Sequence, residues 1–495
     1  MKKMKMRRLA ALLLLSVIML AACGCTGGSG KAGGSGKKTI RVGYDQENKV
    51  LFEDYLIPKF EKKYSDIKIE PVEFSSANLV GITTELTSLA AAGKLPDVMI
   101  GNDNFAYIVQ QGWAYPLDNL LEADADKNDV LNMGLDQYTY NGHLYALPWR
   151  MQFDAVVVNF DLINELNMDE PEYDWTISTF VDMAKKATTT KYSGINYIYN
   201  ANQPTWGFDN KLMGAMYPDG YQQYGYGFDT HSVDLTVNNA WVDTVKIIRE
   251  FQGVPGLISD DLKDYSLRNE GKADDYDKKF GRNSDAFVSG KVLFGNHSTW
   301  EISFINTLEY KWDFYPIPTK DGLEQRIHTH VDYAYMSSAL TEDTYEDAYK
   351  FLKFLTYDKD GCQVQMDYSI NKSTDTSTGF KLYIPATENA DIVTAFDNLK
   401  QVPDGIKYMY KTVVEDSTKA IISDCDKVVP DFWLNVTTFR DEADKQVERG
   451  ADPASLVNDL QTKINSAMNA SWSFFSKTVD NNLEEFYKTH PWEKK

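Results

Sequence analysis

Near the start of the globular chain, the hydrophobic positions switch between a period of two and a period close to four. Alternation predicts a strand over 39–44, another around 67–69 and a short buried strand over 97–100. The intervening segments place apolar residues three or four apart, which predicts helices near 56–64 and over 78–92, the second ended by Gly93. Strands separated by helices form parallel sheets, so an α/β fold is expected.

The same pattern continues along the chain without an internal repeat. It predicts strands over 155–159 and 291–294, a helix over 178–186 with Ser178 as its N-cap, and a helix over 238–251 capped by Gly253. From Asp431 onward the chain is predicted to be mainly helical. With 495 residues the chain exceeds what one hydrophobic core usually serves, so two lobes are expected.

The N-terminal segment has the pattern of a secretory signal. Five Lys and Arg residues within the first eight precede an apolar run from Leu9, which is shorter than the ~20 residues that span a bilayer. The run ends in Leu-Ala-Ala-Cys, which resembles the lipobox of bacterial lipoproteins and implies removal of residues 1–22 and acylation of Cys23. An ordinary cleaved signal with free secretion is the alternative, and Cys25 has a poorer cleavage context. Residues 23–38, rich in Gly, Ser and Lys, are expected to form a flexible tether.

Charge and composition narrow the class of partner. The formal net charge is −21, and loss of the basic signal makes the remainder more acidic, which argues against nucleic acid or anionic lipid as a partner. Cys362 and Cys425 could pair outside the cell, and the sequence leaves their redox state open. Aromatic residues make up 13% of the chain. Most are expected in the core, although the apolar face and polar tip of Tyr and Trp also suit sugars.

Motifs of catalysis and metal binding are weak. The sequence contains no His-Glu-x-x-His, no Gly-x-Ser-x-Gly and no zinc-spaced cysteine set, and His328 and His330 are expected at the surface or in a strand rather than on a metal. Residues 124–128 imitate the start of a calcium loop, but Asp129 and Leu135 stand where glycine and glutamate are required. Paired carboxylates of a glycoside hydrolase stay open, because acidic residues are plentiful and their separation depends on the fold.

Several motifs resemble one protein family in their order and spacing. They are FEKKY at 60–64, AGKLPDV at 92–98, GWAYPL at 112–117, NGHLYALP at 141–148, VNFDL at 158–162, AFVSGKV at 286–292 followed by STW at 298–300, WDFYPIP at 312–318 and AYKFLKFL at 348–355. Together they resemble the carbohydrate-type extracellular solute-binding proteins of ABC importers, the group that contains the maltose-binding protein. The resemblance covers nearly the whole chain after the signal, but it does not identify the ligand.

This resemblance implies a two-lobed α/β fold of the periplasmic-binding-protein type, with a hinge between the lobes and a helical C-terminal region. The implied lobes are 38–151 plus 317–358, and 152–316 plus 359–495. Ligand is then expected in the cleft at the carboxyl ends of the strands. The implied protein is a lipid-anchored monomer without a cofactor or enzymatic activity, which captures a carbohydrate and delivers it to an ABC permease. The same scaffold binding another solute, or a secreted glycoside hydrolase, is the alternative.

Loops that follow strands supply the first candidate ligand contacts. Asp45 and Asp103 follow two predicted strands, and their carboxylates suit sugar hydroxyls, although Asp in such places also caps helices. Trp149 and Arg150 lie where the chain is expected to cross between lobes. They could contact a ligand, or Trp149 could pack beneath the hinge with Arg150 in a structural salt bridge. Trp206 is a candidate stacking platform unless it covers a local core.

The second half of the chain supplies the remaining candidates. The resemblance places Trp300 and Glu301 where the family's tryptophan commonly stacks on a sugar ring, which makes Trp300 the strongest single candidate. Asp332 and Tyr335 lie in a strand that returns through the first lobe, and alternation places them on opposite faces. Trp433, at the start of the late helical region, completes the predicted set.

Overall fold

The computed structural model describes residues 37–75, 82–101, 104–198, 207–259, 274–282, 284–372 and 382–493. The strands are β1 Lys38–Tyr44, β2 Ile67–Glu73, β3 Val98–Gly101, β4 Thr139–Tyr140, β5 His143–Leu144, β6 Leu147–Asn159, β7 Ser193–Ile195, β8 Tyr226–Gly227, β9 Ser232–Val233, β10 Val292–Ser298, β11 Trp312–Pro316, β12 Ile327–Met336, β13 Ile384–Pro385 and β14 Ala420–Ile422.

The α-helices are α1 Ile57–Lys63, α2 Thr83–Ala91, α3 Phe105–Gln110, α4 Asp118–Ala123, α5 Phe160–Glu165, α6 Ile177–Ala187, α7 Phe208–Gly214, α8 Ala240–Gly253, α9 Asp274–Phe280, α10 Ile302–Ile305, α11 Tyr345–Thr356, α12 Lys359–Lys372, α13 Ala390–Asp397, α14 Asp404–Glu415, α15 Cys425–Val428, α16 Phe432–Glu448 and α17 Pro453–Thr489. A π-helical segment, Leu51–Leu56, leads into α1.

Most predicted elements are present, with corrections at their ends. The N-cap of α6 is Thr176, whose side chain accepts a hydrogen bond from the Thr179 backbone, so the prediction of Ser178 was wrong. Gly253 is the last residue of α8 rather than its cap. Gly93 does follow α2 with a φ of +63°, a conformation that glycine adopts without strain. The predicted start of α2 lies outside the described residues.

One long strand joins two sheets. In the described part of the chain, ten strands connect in the order β2–β1–β3–β12–β6–β10–β7, with β11 and β13 beside β6 and β14 beside β12. β1 pairs in parallel with β2 and β3, while β12 pairs antiparallel with β3 and β6. The mixed α/β class predicted from the sequence is confirmed.

β6 passes from one sheet to the other. Its residues up to Phe153 pair with β12, and its residues from Asp154 onward pair with β10 and β11. The change of sheet therefore falls between Phe153 and Asp154, just after the segment 149–152 at which the sequence predicted a crossing between lobes. The helices around it do not follow the predicted division exactly, since α12 packs against α1 on the side of the first sheet. The lobe boundaries at 151, 316 and 358 stay a prediction.

The long C-terminal helix α17 contacts distant parts of the fold. In its first half, the Asn465 side chain forms two hydrogen bonds with the backbone of Val233 in β9, at 2.8 and 2.9 Å. Near its end, Asn482 Nδ2 donates to the Gln110 carbonyl oxygen of α3 at 2.8 Å. Although α17 has 37 residues, no helix in the described ranges is both long and apolar enough to cross a membrane.

Cys362 and Cys425, whose pairing the sequence left open, are both buried and free. Asp124 and Asp126, the start of the apparent calcium loop, each lie within 2.7 Å of the Lys353 ammonium group. These carboxylates are therefore neutralised by a side chain of the same protein.

Candidate functional site

Seven charged side chains form a continuous series of contacts along the paired parts of β6 and β12. We call this series the charge chain. In order of contact its members are Arg150, Asp332, Lys427, Asp424, His330, Asp154 and Lys211. Positive and negative groups alternate, so each carboxylate lies between two cations.

Strand geometry brings four of these groups to one face of the sheet. His330 and Asp332 are two residues apart on β12, and Arg150 and Asp154 are four apart on β6, so each pair shares a face. The antiparallel register places Asp332 opposite Arg150. Arg150 Nε donates to Asp332 Oδ2 at 2.6 Å, which forms the first link of the charge chain.

The other members come from α7 and the start of α15. Lys427 Nζ lies 2.6 Å from Asp424 Oδ2 and 3.4 Å from Asp332 Oδ1. His330 contacts Asp424 through Nδ1, and Asp154 Oδ2 through Nε2 at 2.9 Å. Lys211 Nζ, on α7, lies 3.0 Å from Asp154 Oδ1. The chain thus links segments more than 200 residues apart in sequence.

The pKa shifts of His330, Asp154 and Asp424 favour their ionised forms. Burial alone would lower the pKa of His330, but Asp424 and Asp154 raise it to about 10, so the imidazole is protonated at neutral pH and both nitrogens donate. Burial alone would raise the pKa of Asp154, but Lys211 and His330 hold it well below its ordinary value. Because buried charges are costly unless paired, the alternation is what makes this arrangement stable.

Trp300 lies beside the charge chain on a short 3₁₀ helix, Thr299–Glu301. Ser298 and Glu301 form a reciprocal capping box at its start, with Glu301 Oε2 accepting from the Ser298 backbone at 3.0 Å. Ser298 Oγ also donates to Asp154 Oδ1 at 2.6 Å. The partly exposed indole of Trp300 meets the His330 ring with centroids 4.9 Å apart and planes at 86°.

Asp45 and Trp149 are placed in the alternative roles that the sequence allowed. Asp45 is buried and accepts two hydrogen bonds from Asn48, as a helix cap does. Burial raises the pKa of its carboxyl group, and the positive charge of Arg150 opposes this effect. Trp149 is completely buried, and its indole N–H donates to Gln365 Oε1 at 2.6 Å. In this conformation neither offers a surface to a ligand.

Tyr335 and Trp433 lie away from the charge chain. Tyr335 is buried in an aromatic cluster against Phe105, with its hydroxyl 3.4 Å from the Met99 sulfur. Trp433 is partly buried and contacts the Tyr224 ring with centroids 5.7 Å apart. The remaining predicted residues, Asp103, Trp206 and Cys23, lie outside the described residues.

Sequence reasoning missed five members of the charge chain: Asp154, Lys211, His330, Asp424 and Lys427. One signal was present, because His328, His330 and Asp332 occupy alternate positions of a strand that is otherwise mostly apolar. His328 and His330 do lie in a strand, as expected, but His328 is buried and only 14% of the His330 side chain is exposed.

A separate cavity of about 620 Å³ lies between α7, α8 and α16. Its apolar wall includes Trp241 and Ile248. Its main cation, Arg440, is already paired with Asp209 at 2.8 Å and with Asp444 at 3.2 Å. We place the candidate site at the charge chain instead, because Arg150 and Asp332 belong to it and Trp300 and Glu301 lie beside its His330 and Asp154.

One protein family and one curated relative are similar in sequence to this chain. The profile of the bacterial extracellular solute-binding protein family matches residues 46–361. An uncharacterised ABC transporter extracellular-binding protein of Pyrococcus horikoshii is 30% identical over 220 residues, which cover 41% of this chain and 48% of that protein. The match thus spans about half the length of that curated relative.

Solved structures share the fold at low sequence identity. The sugar-binding protein MalE from Xanthomonas citri has a TM-score of 0.61 at 14% identity, covering 88% of this chain and 98% of its own. An ABC substrate-binding protein from Listeria monocytogenes in complex with cycloalternan has a TM-score of 0.56 at 17% identity, covering 88% and 99%. The likeness confirms the predicted two-lobed α/β architecture.

Proposed function

Because the chain belongs to the bacterial extracellular solute-binding proteins, we propose that it captures a carbohydrate outside the cell and delivers it to the permease of an ABC transporter. The family consists of binding proteins rather than enzymes, and we extend this to the present chain, which we propose has no catalytic activity. The name of the Xanthomonas citri structure and the cycloalternan ligand of the Listeria monocytogenes structure support a carbohydrate as the ligand class.

The observation that carries this proposal is a partly exposed tryptophan beside charges that are already paired with one another. In the charge chain four cations alternate with three carboxylates, so a net charge of only +1 is left with which to select an ionic solute. Trp300 can cover the apolar face of a sugar ring, and ionised side chains can bond its hydroxyls. Neutral ligands rich in hydroxyl groups suit both features.

We assign Trp300 as the stacking platform, with Arg150, Asp332 and Glu301 as hydrogen-bonding groups near it. Asp103 and Trp206, which follow β3 and β7 in the sequence, and Trp433 remain candidate contacts of the same ligand. Asp45, Trp149 and Tyr335 are better explained by their helix cap and core contacts.

Ligand capture is proposed to act through hinge closure. β6 is continuous between the two sheets, so rotation of the lobes would bend this strand and its neighbours close to the charge chain. A ligand bound to both lobes would stabilise the closed state by its differential affinity, which the permease would then recognise. We also propose that a lipid on Cys23 holds the protein, as a monomer, at the outer face of the membrane.

A ligand screen tests the proposal directly. Melting temperature would be measured with mono- and oligosaccharides, amino acids and peptides, and positive compounds would be confirmed by titration calorimetry. Stabilisation by a sugar, without release of reducing ends on long incubation, is the expected result. Stabilisation by amino acids or peptides alone would overturn the carbohydrate assignment, while release of reducing ends would favour a glycoside hydrolase.

A further inference from the structure

The orientation of Trp300 is linked to the charge chain by two separate contacts. Through the backbone, Ser298 caps the short helix that carries Trp300 and donates to Asp154 Oδ1 at 2.6 Å. Through the side chain, the indole meets the His330 ring almost at a right angle, with centroids 4.9 Å apart. Asp154 therefore contacts both the residue that caps the helix and the ring that meets the indole.

His330 itself has little freedom to turn. Its Nε2 lies 2.9 Å from Asp154 Oδ2, and its Nδ1 contacts Asp424. Asp424 is held in turn by Lys427 at 2.6 Å, and Asp154 by Lys211 at 3.0 Å. An imidazole bonded at both nitrogens cannot flip or rotate without breaking a buried ionic hydrogen bond. The ring is thus a fixed surface against which the partly exposed indole rests.

We propose that His330 is a positioning residue that holds the indole of Trp300 in the orientation required to stack on a sugar ring. The inference rests on the proposed function and adds a specificity device to the same site. A loose tryptophan would have to be immobilised when ligand binds, whereas one that is already fixed loses less freedom on binding. The charged groups that hold His330 in place thereby raise the affinity of the site for a neutral sugar.

A double-mutant cycle separates this role from a general structural one. Sugar affinity would be measured by calorimetry for the wild type, His330→Gln, Trp300→Ala and the double variant. Loss of an aromatic contact at the site is expected to weaken binding by about 3- to 10-fold in His330→Gln. In the Trp300→Ala background the same His330 substitution is expected to change affinity by less than about 2-fold, since nothing remains to be positioned.

Two further variants keep the test decisive. His330→Lys retains a cation between the two carboxylates but removes the ring, so it is expected to weaken binding as His330→Gln does. His328→Gln is the matched control, because His328 lies two residues away on β12 and contacts Ser423 Oγ at 2.9 Å, and affinity should not change. An equal loss of affinity from His330→Gln with and without Trp300 would overturn the positioning role.

A readout without ligand distinguishes failure of this inference from failure of the proposed function. The fluorescence of Trp300 is obtained as the difference between wild type and Trp300→Ala, and its quenching by acrylamide reports how firmly the indole is held. Quenching should rise in His330→Gln and His330→Lys and stay constant in His328→Gln. If no sugar binds the wild type, the proposed function fails; unchanged quenching in both His330 variants would refute the positioning of Trp300.

Discussion

The two histidines of β12 should affect stability in opposite pH ranges. Burial alone would lower the pKa of His330, yet Asp424 and Asp154 raise it to about 10, well above the ~6.5 of an unfolded histidine. The folded state therefore holds a proton that the unfolded state releases as pH rises. The stabilisation from His330 is complete below about pH 6.5 and is lost progressively as pH rises toward 10.

The size of the effect follows from one proton. When the two states differ by one bound proton, the free energy of unfolding changes by about 1.4 kcal/mol per pH unit. Between pH 6.5 and 8.5 the contribution of His330 should therefore fall by about 2–3 kcal/mol. Higher pH is avoided because burial raises the pKa of Cys362 to about 12, whereas the unfolded thiol is already about half ionised at pH 8.5.

The assay is urea unfolding at several pH values between 4.5 and 8.5 for wild type and His330→Gln. The difference in unfolding free energy between them should shrink steadily above pH 6.5, since only the wild type binds this proton. His328→Gln is the control: burial lowers the pKa of His328 to about 3, so its effect should change only as pH falls below about 6.5. A constant wild-type minus His330→Gln difference from pH 6.5 to 8.5 would refute the protonated, ion-paired imidazole.

Three other predictions concern ligand binding, processing and shape. Trp300→Ala should weaken sugar binding by roughly 1–3 kcal/mol with little change in the melting temperature of the ligand-free protein. The control Trp175→Ala, which removes a side chain only 3% exposed, should destabilise the fold by about 3–5 kcal/mol. Equal destabilisation by the two substitutions would assign Trp300 to the core. Cys23→Ser should abolish labelling by a fatty-acid analogue while Cys25→Ser retains it, and the reverse pattern would identify the other cysteine. Small-angle scattering should show a smaller radius of gyration when the bound sugar is present, and an unchanged profile at confirmed saturation would exclude hinge closure.

The strands and helices with a clear hydrophobic period could be predicted because a single buried face decides them. The full length of β6 could not, since its first half pairs with β12 and its second half with β10 and β11. The sequence of this strand does not show where the partner changes. Its predicted part, 155–159, lies within the half that pairs with β10 and β11.

Some residues of the candidate site could be named from the sequence, but the network of contacts between them could not. Arg150, Asp332 and Trp300 could be named from their places along the chain, whereas Asp424 and Lys211 belong to the charge chain only through tertiary contacts. Acidic and basic residues are too common for their pairing to be inferred from sequence. Tyr335 was named as a candidate ligand contact but is buried against Phe105, because alternation defines the two faces of a strand without showing which face meets the core.

The length and attachment of α17 restrict how the molecule can move. Its 37 residues span about 55 Å, and Asn465, which bonds to β9, lies about 25 Å along the helix from Asn482, which bonds to α3. A helix resists stretching, because extension breaks its hydrogen bonds, so the distance between the two attachment points is effectively constant. A motion that separates these two points would therefore cost free energy, whereas rotation of one half of the molecule about the helix axis leaves the distance between them unchanged. Any hinge closure of the lobes is therefore expected to keep the attachment points on β9 and α3 at a fixed separation.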